Sequence, residues 1–417
     1  METDWVTKEA SEFCSSVRDG THGSPKEVFE GGKKLVTSRH IKGGTLDFTN
    51  SYKISIKDFN EINQRSKVNQ WDVLFSMIGT IGEVLLVKEK EPDYAIKNVG
   101  LFKCKSELDG QWLYYYLNSP PVKREILSLS RGTTQQYIPL GSLRKLSIRC
   151  PNSDLEKEKI IRFLSYIDEK IEINKKSNET LEGIAKAIFK SWFIDFDPVK
   201  AKSEGRSTGL PNEISDLFPD SFEDSELGQI PSGWIIQSLG SISKIFTGKR
   251  PKSRSKKETP LTKYPLYGGA GPMGFTNDIL VNGSKIITTG RVGTLGKFFR
   301  IKIPAWISDN ALIIEPSDIF YNFCFYRLLN FDITIFNRGS TQPLITQSDL
   351  KTIEMISADE KIHKIFEKLC SDLYEKFAIN QSESNTLENI RNCLLPKLIS
   401  GELKIPDAEK IIEEVGI

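Results

Sequence analysis

Three histidines in a chain of 417 residues leave little from which to assemble a zinc site. The six cysteines (Cys14, Cys104, Cys150, Cys324, Cys370 and Cys393) include no Cys-x-x-Cys pair, so the usual metal and redox patterns are absent and a reducing cytoplasm is expected. No apolar run is long enough to cross a bilayer, and METDWVTKEA is acidic and polar, unlike a secretory signal, so no membrane partner is expected. Motifs for chemistry are missing as well. GRVGTLGKF fails as a phosphate-binding loop, because Arg291 stands where the first Gly belongs and Phe298 where Ser or Thr belongs. DFDPVK has one proline where amino-methyltransferases carry Asn/Asp-Pro-Pro-aromatic. No nucleophile–His arrangement and no carboxylate-pair-plus-Lys nuclease pattern is found. The chain reads as a binding protein without chemistry, metal or cofactor of its own.

Net charge is also nearly absent, at +2, but the balance hides a division. Trp234–Ser357 holds 16 Lys/Arg against 8 Asp/Glu, and Met1–Asn152 holds 22 against 18. The stretch Asp195–Ile230 is acidic, with 9 Asp/Glu against 3 Lys/Arg. Two basic blocks suggest a polyanionic partner.

Those two blocks share a phrase. RGTTQQYIPLGSLRKLSI (Arg131–Ile148) returns as RGSTQPLITQSDLKTIEM (Arg338–Met355). Upstream, SMIGTIGEVLLV (Ser76–Val87) matches TGRVGTLGKFFRI (Thr289–Ile301), each reading as strand, Gly-rich turn, strand. AIKNVGLFKC (Ala95–Cys104) matches ISDNALIIEP (Ile307–Pro316) as a strand, and QWLYYYLNSP matches NFCFYRLLNF as a short helix. A collinear repeat of this size is a duplicated domain.

A long helix follows each copy. Ile160, Leu164, Ile167, Ile171, Asn174, Asn178, Leu181, Ala185, Ile188 and Trp192 are spaced 4-3-4-3, a heptad seam about 48 Å long. Phe366, Cys370, Leu373, Phe377, Asn380, Ser384, Leu387, Leu394 and Leu398 repeat the spacing, with Arg391 at one seam position. Ser153-x-x-Glu156 and Ser357-x-x-Glu360 suggest capping boxes, and Gly401 a stop. Antiparallel pairing, Ile160 against Leu398, sets Asn174 against Ser384, Asn178 against Asn380 and Trp192 against Phe366. A compact second block makes that return short. Buried polar layers cost stability and fix register. The expected class is α+β: two similar mixed domains in a pseudo-two-fold arrangement, separated by two long helices in an antiparallel coiled coil. Two basic domains held apart by such a bar suit two nearby stretches of duplex DNA.

Several residues suit that contact. In Arg131-Gly132-Thr133-Thr134-Gln135 and Arg338-Gly339-Ser340-Thr341-Gln342, Arg can bind phosphate or a guanine edge, Gln pairs with adenine, and hydroxyls hold phosphate oxygens. The plainer reading is a structural turn. Thr80 and Thr294, in Gly79-Thr80-Ile81-Gly82 and Gly293-Thr294-Leu295-Gly296, with Arg291 beside the second, fit tight hairpins better than DNA contacts. Lys249, Arg250, Lys252 and Arg254 suit phosphates or a solvated loop. His22, at the matching early position of the first block, is a further polar candidate.

IFKSWFIDFDPVKAK (Ile188–Lys202), FPDSFEDSELGQIPSGW (Phe218–Trp234) and LLPKLISGEL (Leu394–Leu403), together with the duplicated layout, resemble the specificity subunit of Type I restriction–modification enzymes. The resemblance implies target recognition domains at 1–152 and 232–356, conserved spacer helices at 153–195 and 357–402, an acidic linker at 196–231 and a C-terminal tail at 403–417. It implies double-stranded DNA as partner, read as a two-part target. It also implies two modification subunits that bring S-adenosylmethionine, and restriction subunits that bring ATP and Mg2+. Ser191, Trp192, Phe193 and Phe196 are the expected docking surface for the modification subunits, with burial in the chain's own core as the alternative. Two rival functions stay open: a DNA-binding scaffold that reads no bases, and a self-sufficient methyltransferase or nuclease.

Overall fold

The computed structural model describes residues 5–133, 136–283, 285–339 and 341–415. The chain divides into two compact units, Met1–Lys175 with Ser382–Ile417, and Lys176–Gln381.

In the first unit, strands Ser16–Asp19, Val99–Lys103, Val73–Ser76 and Val84–Leu86 lie side by side in that order, every neighbour antiparallel. Val73, Leu74 and Phe75 are all fully buried, so this strand is an unbroken apolar run rather than an alternation. The reason is that both faces are covered. Val73, Phe75 and Phe102 pack with Trp112 and Leu113 of helix Glu107–Asn118. Leu74, Leu85 and Leu101 pack on the other side with Val36 and Ile96 of a second sheet. That sheet runs Tyr94–Lys97, Lys33–Thr37, Lys53–Ile54, Glu27–Val28, and its first pair is parallel.

The second unit repeats the plan. Ser243–Thr247, Ala311–Pro316, Ile287–Gly290 and Phe298–Arg300 form the same antiparallel order. Ile287, Leu312 and Ile314 face Phe323 and Tyr326 of helix Tyr321–Leu329, while Ile286 and Ile313 face a second sheet. In that sheet Trp306–Ile307 pairs parallel with Tyr264–Gly268, which pairs antiparallel with Gly271–Thr276. Ser255 bridges Phe275 where the first unit has its fourth strand. Each unit also carries a two-stranded ribbon, Trp5–Glu9 with Ser147–Pro151 and Ile235–Ser238 with Glu354–Ser357. The duplication is therefore one of topology, down to the parallel strand pair in each second sheet.

Helices Asp154–Phe193 and Glu360–Ser400 contribute half of each to each unit. In both units they pack antiparallel. In the first, Arg391 Nη1 donates to Asp168 at 2.6 Å and Asn174 Nδ2 to Glu383 at 2.8 Å. In the second, Asn380 Nδ2 donates to Asn178 Oδ1 at 2.9 Å, and the rings of Trp192 and Phe366 lie 6.2 Å apart. Residue numbers rise on one helix as they fall on the other, in the register that sets Asn178 against Asn380. Ile160, Leu164, Ile167, Asn174, Asn178, Ser384, Leu387, Leu394 and Leu398 are buried, and Ile171, Leu181, Leu373 and Phe377 half-buried. Arg391 interrupts the apolar spacing because Asp168 and the Tyr115 hydroxyl (2.9 Å from Asp168) give it an ionic neighbourhood.

The caps differ in one respect from expectation. Ser153 Oγ accepts the Glu156 N–H at 3.4 Å, but Ser357 ends a strand and its hydroxyl lies 2.8 Å from His363 Nε2. The second helix is capped by Asp359, whose Oδ1 accepts the Lys361 N–H at 2.8 Å. Gly401 closes that helix with φ +76°. The acidic segment after residue 195 folds: helices Asp197–Ser203 and Asn212–Ser215 and a hairpin, Phe222–Ser225 with Gly228–Pro231, fix Val199 and Phe218 in the second core. Past Gly401, helix Ile405–Val415 buries Ala408 against the first core.

Candidate nucleic-acid interface

In both units the shared phrase docks on the Gly-turn hairpin of its own four-stranded sheet. In the first, Ile138 N–H donates to Met77 O at 3.0 Å and Tyr137 bridges Ile78. In the second, Ile345 N–H donates to Arg291 O at 3.0 Å, Gly293 N–H to Pro343 O at 2.9 Å, and Leu344 bridges Val292. The hairpins turn through Gly79 and Gly82 (φ +76° and +95°) and Gly293 and Gly296 (φ +84° and +77°), conformations that side chains with a Cβ resist. Each phrase is itself pinched shut: Arg131 and Tyr137 exchange backbone hydrogen bonds at 2.8 and 2.9 Å, and Arg338 N–H reaches Leu344 O at 3.0 Å. The plainer reading, a structural turn, thus describes the backbone, while exposed side chains of Arg131, Thr133, Thr341 and Gln342 project from it. Thr134, Gln135 and Ser340 lie outside the described residues.

The two arginines are not equivalent. Arg338 pairs with Asp349, whose carboxylate is almost wholly buried. Burial alone would raise the Asp349 pKa. Hydrogen bonds from the Thr346 hydroxyl and N–H, with the Arg338 charge, hold it below the usual carboxylate range instead. Asp349 also completes a capping box for helix Gln347–Lys351. The matching helix in the first unit, Leu140–Arg144, begins at Pro139 without a side-chain cap, and Arg131 has no carboxylate partner among the described residues. Asn337 was not singled out in the sequence, yet its Oδ1 accepts the N–H of both Gly339 and Leu344 at 3.0 Å. An Asn directly before Arg-Gly is a readable turn signal.

The remaining candidates vary in freedom. Thr80 Oγ1 donates to Ser38 O at 3.1 Å, which ties it to its own fold. Thr294 and Arg291 are half-buried beside the phrase. His22 has both ring nitrogens engaged, 2.9 Å from Asn98 Oδ1 and 2.9 Å from Asp19 Oδ2, so it braces the first strand's end. Lys249 is anchored through its backbone, its N–H to Ile307 O at 2.9 Å and its carbonyl accepting Trp306 Nε1 at 2.6 Å. The side chains of Lys249, Arg250, Lys252 and Arg254 are exposed, without carboxylate partners among the described residues.

The expected docking surface is corrected. Trp192, Phe193 and Phe196 are buried in the second core, and Ser191 beside them is half-buried. Trp192 packs edge-on against Phe218 at 5.2 Å, Phe193 stacks on the His363 ring at 5.3 Å, and Phe196 meets Trp234 edge-on at 5.7 Å. The folded acidic segment supplies Phe218 against Trp192 and Phe222 against Phe196. Among the described residues, no group of three His, Cys, Asp or Glu is placed to hold a metal ion, and no helix is long and apolar enough to cross a membrane.

The family model for the Type I restriction modification DNA specificity domain matches residues 2–183 and 231–389. The chain is 28% identical over 326 residues to the Type I restriction enzyme MjaIX specificity subunit of Methanocaldococcus jannaschii, covering 73% of this chain and 71% of that one. It is 27% identical over 341 residues to the Type I restriction enzyme HindI specificity subunit of Haemophilus influenzae, covering 67% and 74%. The crystal structure of a Type-I restriction-modification system S subunit from M. genitalium matches the fold with a TM-score of 0.59 at 19% identity, over 95% of this chain and 96% of that one.

Proposed function

From the premise that this chain belongs to the Type I restriction–modification DNA specificity family, we propose that it is the address-reading subunit of such a complex, each unit reading one half of a two-part DNA target. The helix pair sets the unspecified gap between the halves and offers the surface on which two modification subunits assemble. Methyl transfer from S-adenosylmethionine, and ATP- and Mg2+-dependent translocation and cleavage, belong to the partner subunits. The observation that carries this reading is that the two family-matched segments are two copies of one strand order, each joined to half of an antiparallel helix pair. One strand order with differing loops is what two readers of different short sequences require.

The test is a domain exchange. The chain is produced with its modification subunits, and methylated adenines are mapped genome-wide by single-molecule sequencing. Replacing residues 232–356 with the same block from another family member changes one half of the mapped target and leaves the other half and the gap unchanged. A change in both halves, or none, refutes the reading. Methyl transfer by the pure chain alone refutes the non-catalytic assignment.

A further inference from the structure

Among the described residues, the two most exposed large apolar side chains are Phe29, at 88%, and Leu261, at 78%. Single exposed apolar residues are ordinary. These two, however, occupy the same topological place. In the first unit, Glu27–Val28 and Lys33–Thr37 flank Lys53–Ile54, and residues 29–32 carry the chain across from the outer strand to the inner one. In the second, Ser255 and Tyr264–Gly268 flank Gly271–Thr276, and residues 256–263 make the same crossing. Each crossing presents its apolar side chain outward.

Both crossings are closely packed or internally bonded. A Cβ on Gly32 would lie 2.4 Å from Val28 Cγ2 and 2.6 Å from Ile54 O, so the first is closed tightly on its own sheet. In the second, Thr259 and Thr262 exchange backbone hydrogen bonds at 3.2 and 3.0 Å, and their hydroxyls meet at 2.7 Å. Pro260 and Leu261 are the two corners of that turn, and Pro fixes the backbone at the first. A solvent-facing leucine on a pinned corner adds nothing to the core beneath it.

The surroundings indicate what meets it. The second crossing carries Lys256, Lys257 and Lys263 against Glu258, and none of the three lysines has a carboxylate partner among the described residues. At Leu261, an apolar point ringed by free cations fits a polyanion with stacked apolar faces inside, whereas Phe29 stands between Glu27 and Glu30 and is its counterpart by topology and exposure alone. Duplex DNA has that character, and apolar side chains inserted at a base step are a known way to part it. We infer that Leu261, with Phe29 as its counterpart, is a wedge that enters duplex DNA and parts a base step. This rests on the DNA-reading function proposed above.

The experiment uses the full chain assembled with its modification subunits and a duplex carrying the mapped target, with 2-aminopurine placed at each step in turn. Binding raises the fluorescence at one step in each half. Leu261→Ala abolishes the rise in the half read by the second unit and weakens binding about tenfold or more. Phe29→Ala does the same in the other half, and Leu261→Met and Phe29→Leu retain the signal. Lys256→Ala with Lys257→Ala lowers the salt dependence of binding but leaves the fluorescence rise in place. Alanine variants that keep both affinity and fluorescence overturn the wedge while leaving the reading intact. Alanine variants that instead lose assembly with the modification subunits, as seen on a sizing column, assign the residues to a protein contact and also overturn it. An unaltered complex with no preference for the target over a scrambled duplex removes the reading and the wedge together.

Discussion

Arg131 and Arg338 hold the same place in a repeated phrase, yet among the described residues only Arg338 of the two is latched to a buried carboxylate. Removing each therefore has a different signature. Arg338→Ala leaves Asp349 buried without its cation, at a cost of about 1–3 kcal/mol seen as a lower urea midpoint. Arg131→Ala leaves that midpoint unchanged and reduces the salt slope of DNA binding by about one. The sequence displays both arginines alike because Asp349 lies eleven residues from Arg338 across a turn, and spacing does not reveal which side chain comes back. His363 is a second residue whose role only packing reveals. It is fully buried between Phe193, Phe320 and Phe323, and burial depresses its pKa to about 4, opposed weakly by Asp359. The folded state therefore keeps the ring neutral, while the unfolded chain takes up a proton near pH 6.5. Stability is full above that value and falls as pH drops from about 6.5 towards 4, by up to about 3 kcal/mol. Urea midpoints across that range should show the loss in the native chain, with a smaller slope in His363→Phe.

At the scale of elements, the long helices were the most legible part. The 4-3 spacing of apolar residues, interrupted by Asn174, Asn178, Asn380 and Ser384, defines both the seam and its register, since only one antiparallel alignment brings the polar layers together. Asn380→Leu strands the Asn178 amide oxygen in the interior and costs about 1–3 kcal/mol. Adding Asn178→Leu recovers the loss, so a double-mutant cycle on thermal midpoints reads the pair directly. The end of the second helix is testable in the same way. A methyl at Gly401 meets the Trp5 indole at 2.7 Å on a backbone with φ +76°, so Gly401→Ala lowers the midpoint by at least about 1 kcal/mol. The aromatic end of the first helix is ambiguous in the sequence for a physical reason. A cluster such as Trp192, Phe193 and Phe196 looks the same whether its cover comes from a partner or from the chain itself. Part of the cover, Phe218 and Phe222, lies within a segment whose charge suggests a solvated linker. Ser357 is ambiguous in the same way: its spacing to Glu360 fits a capping box, but it is the last residue of a strand and Asp359 takes the cap position.

For the molecule as a whole, the proposed reading makes the helix pair a spacer. Inserting seven residues into both helices, in register, should lengthen the gap between the methylated half-sites and leave each half-site unchanged, as read by methylation mapping. Altered half-sites with a constant gap would remove the spacer role. The duplication was legible because turn glycines and the phrase recur, whereas no motif in the sequence specifies particular bases. The shared strand order also has a consequence for how the chain matures. While the later half emerges, its strand Ser243–Thr247 has two acceptors of one geometry, its own Ala311–Pro316 and the earlier-made Val99–Lys103. The first core also takes Leu394, Leu398 and Ala408 from the last stretch of the chain, so it is completed only after the rival strand has been made.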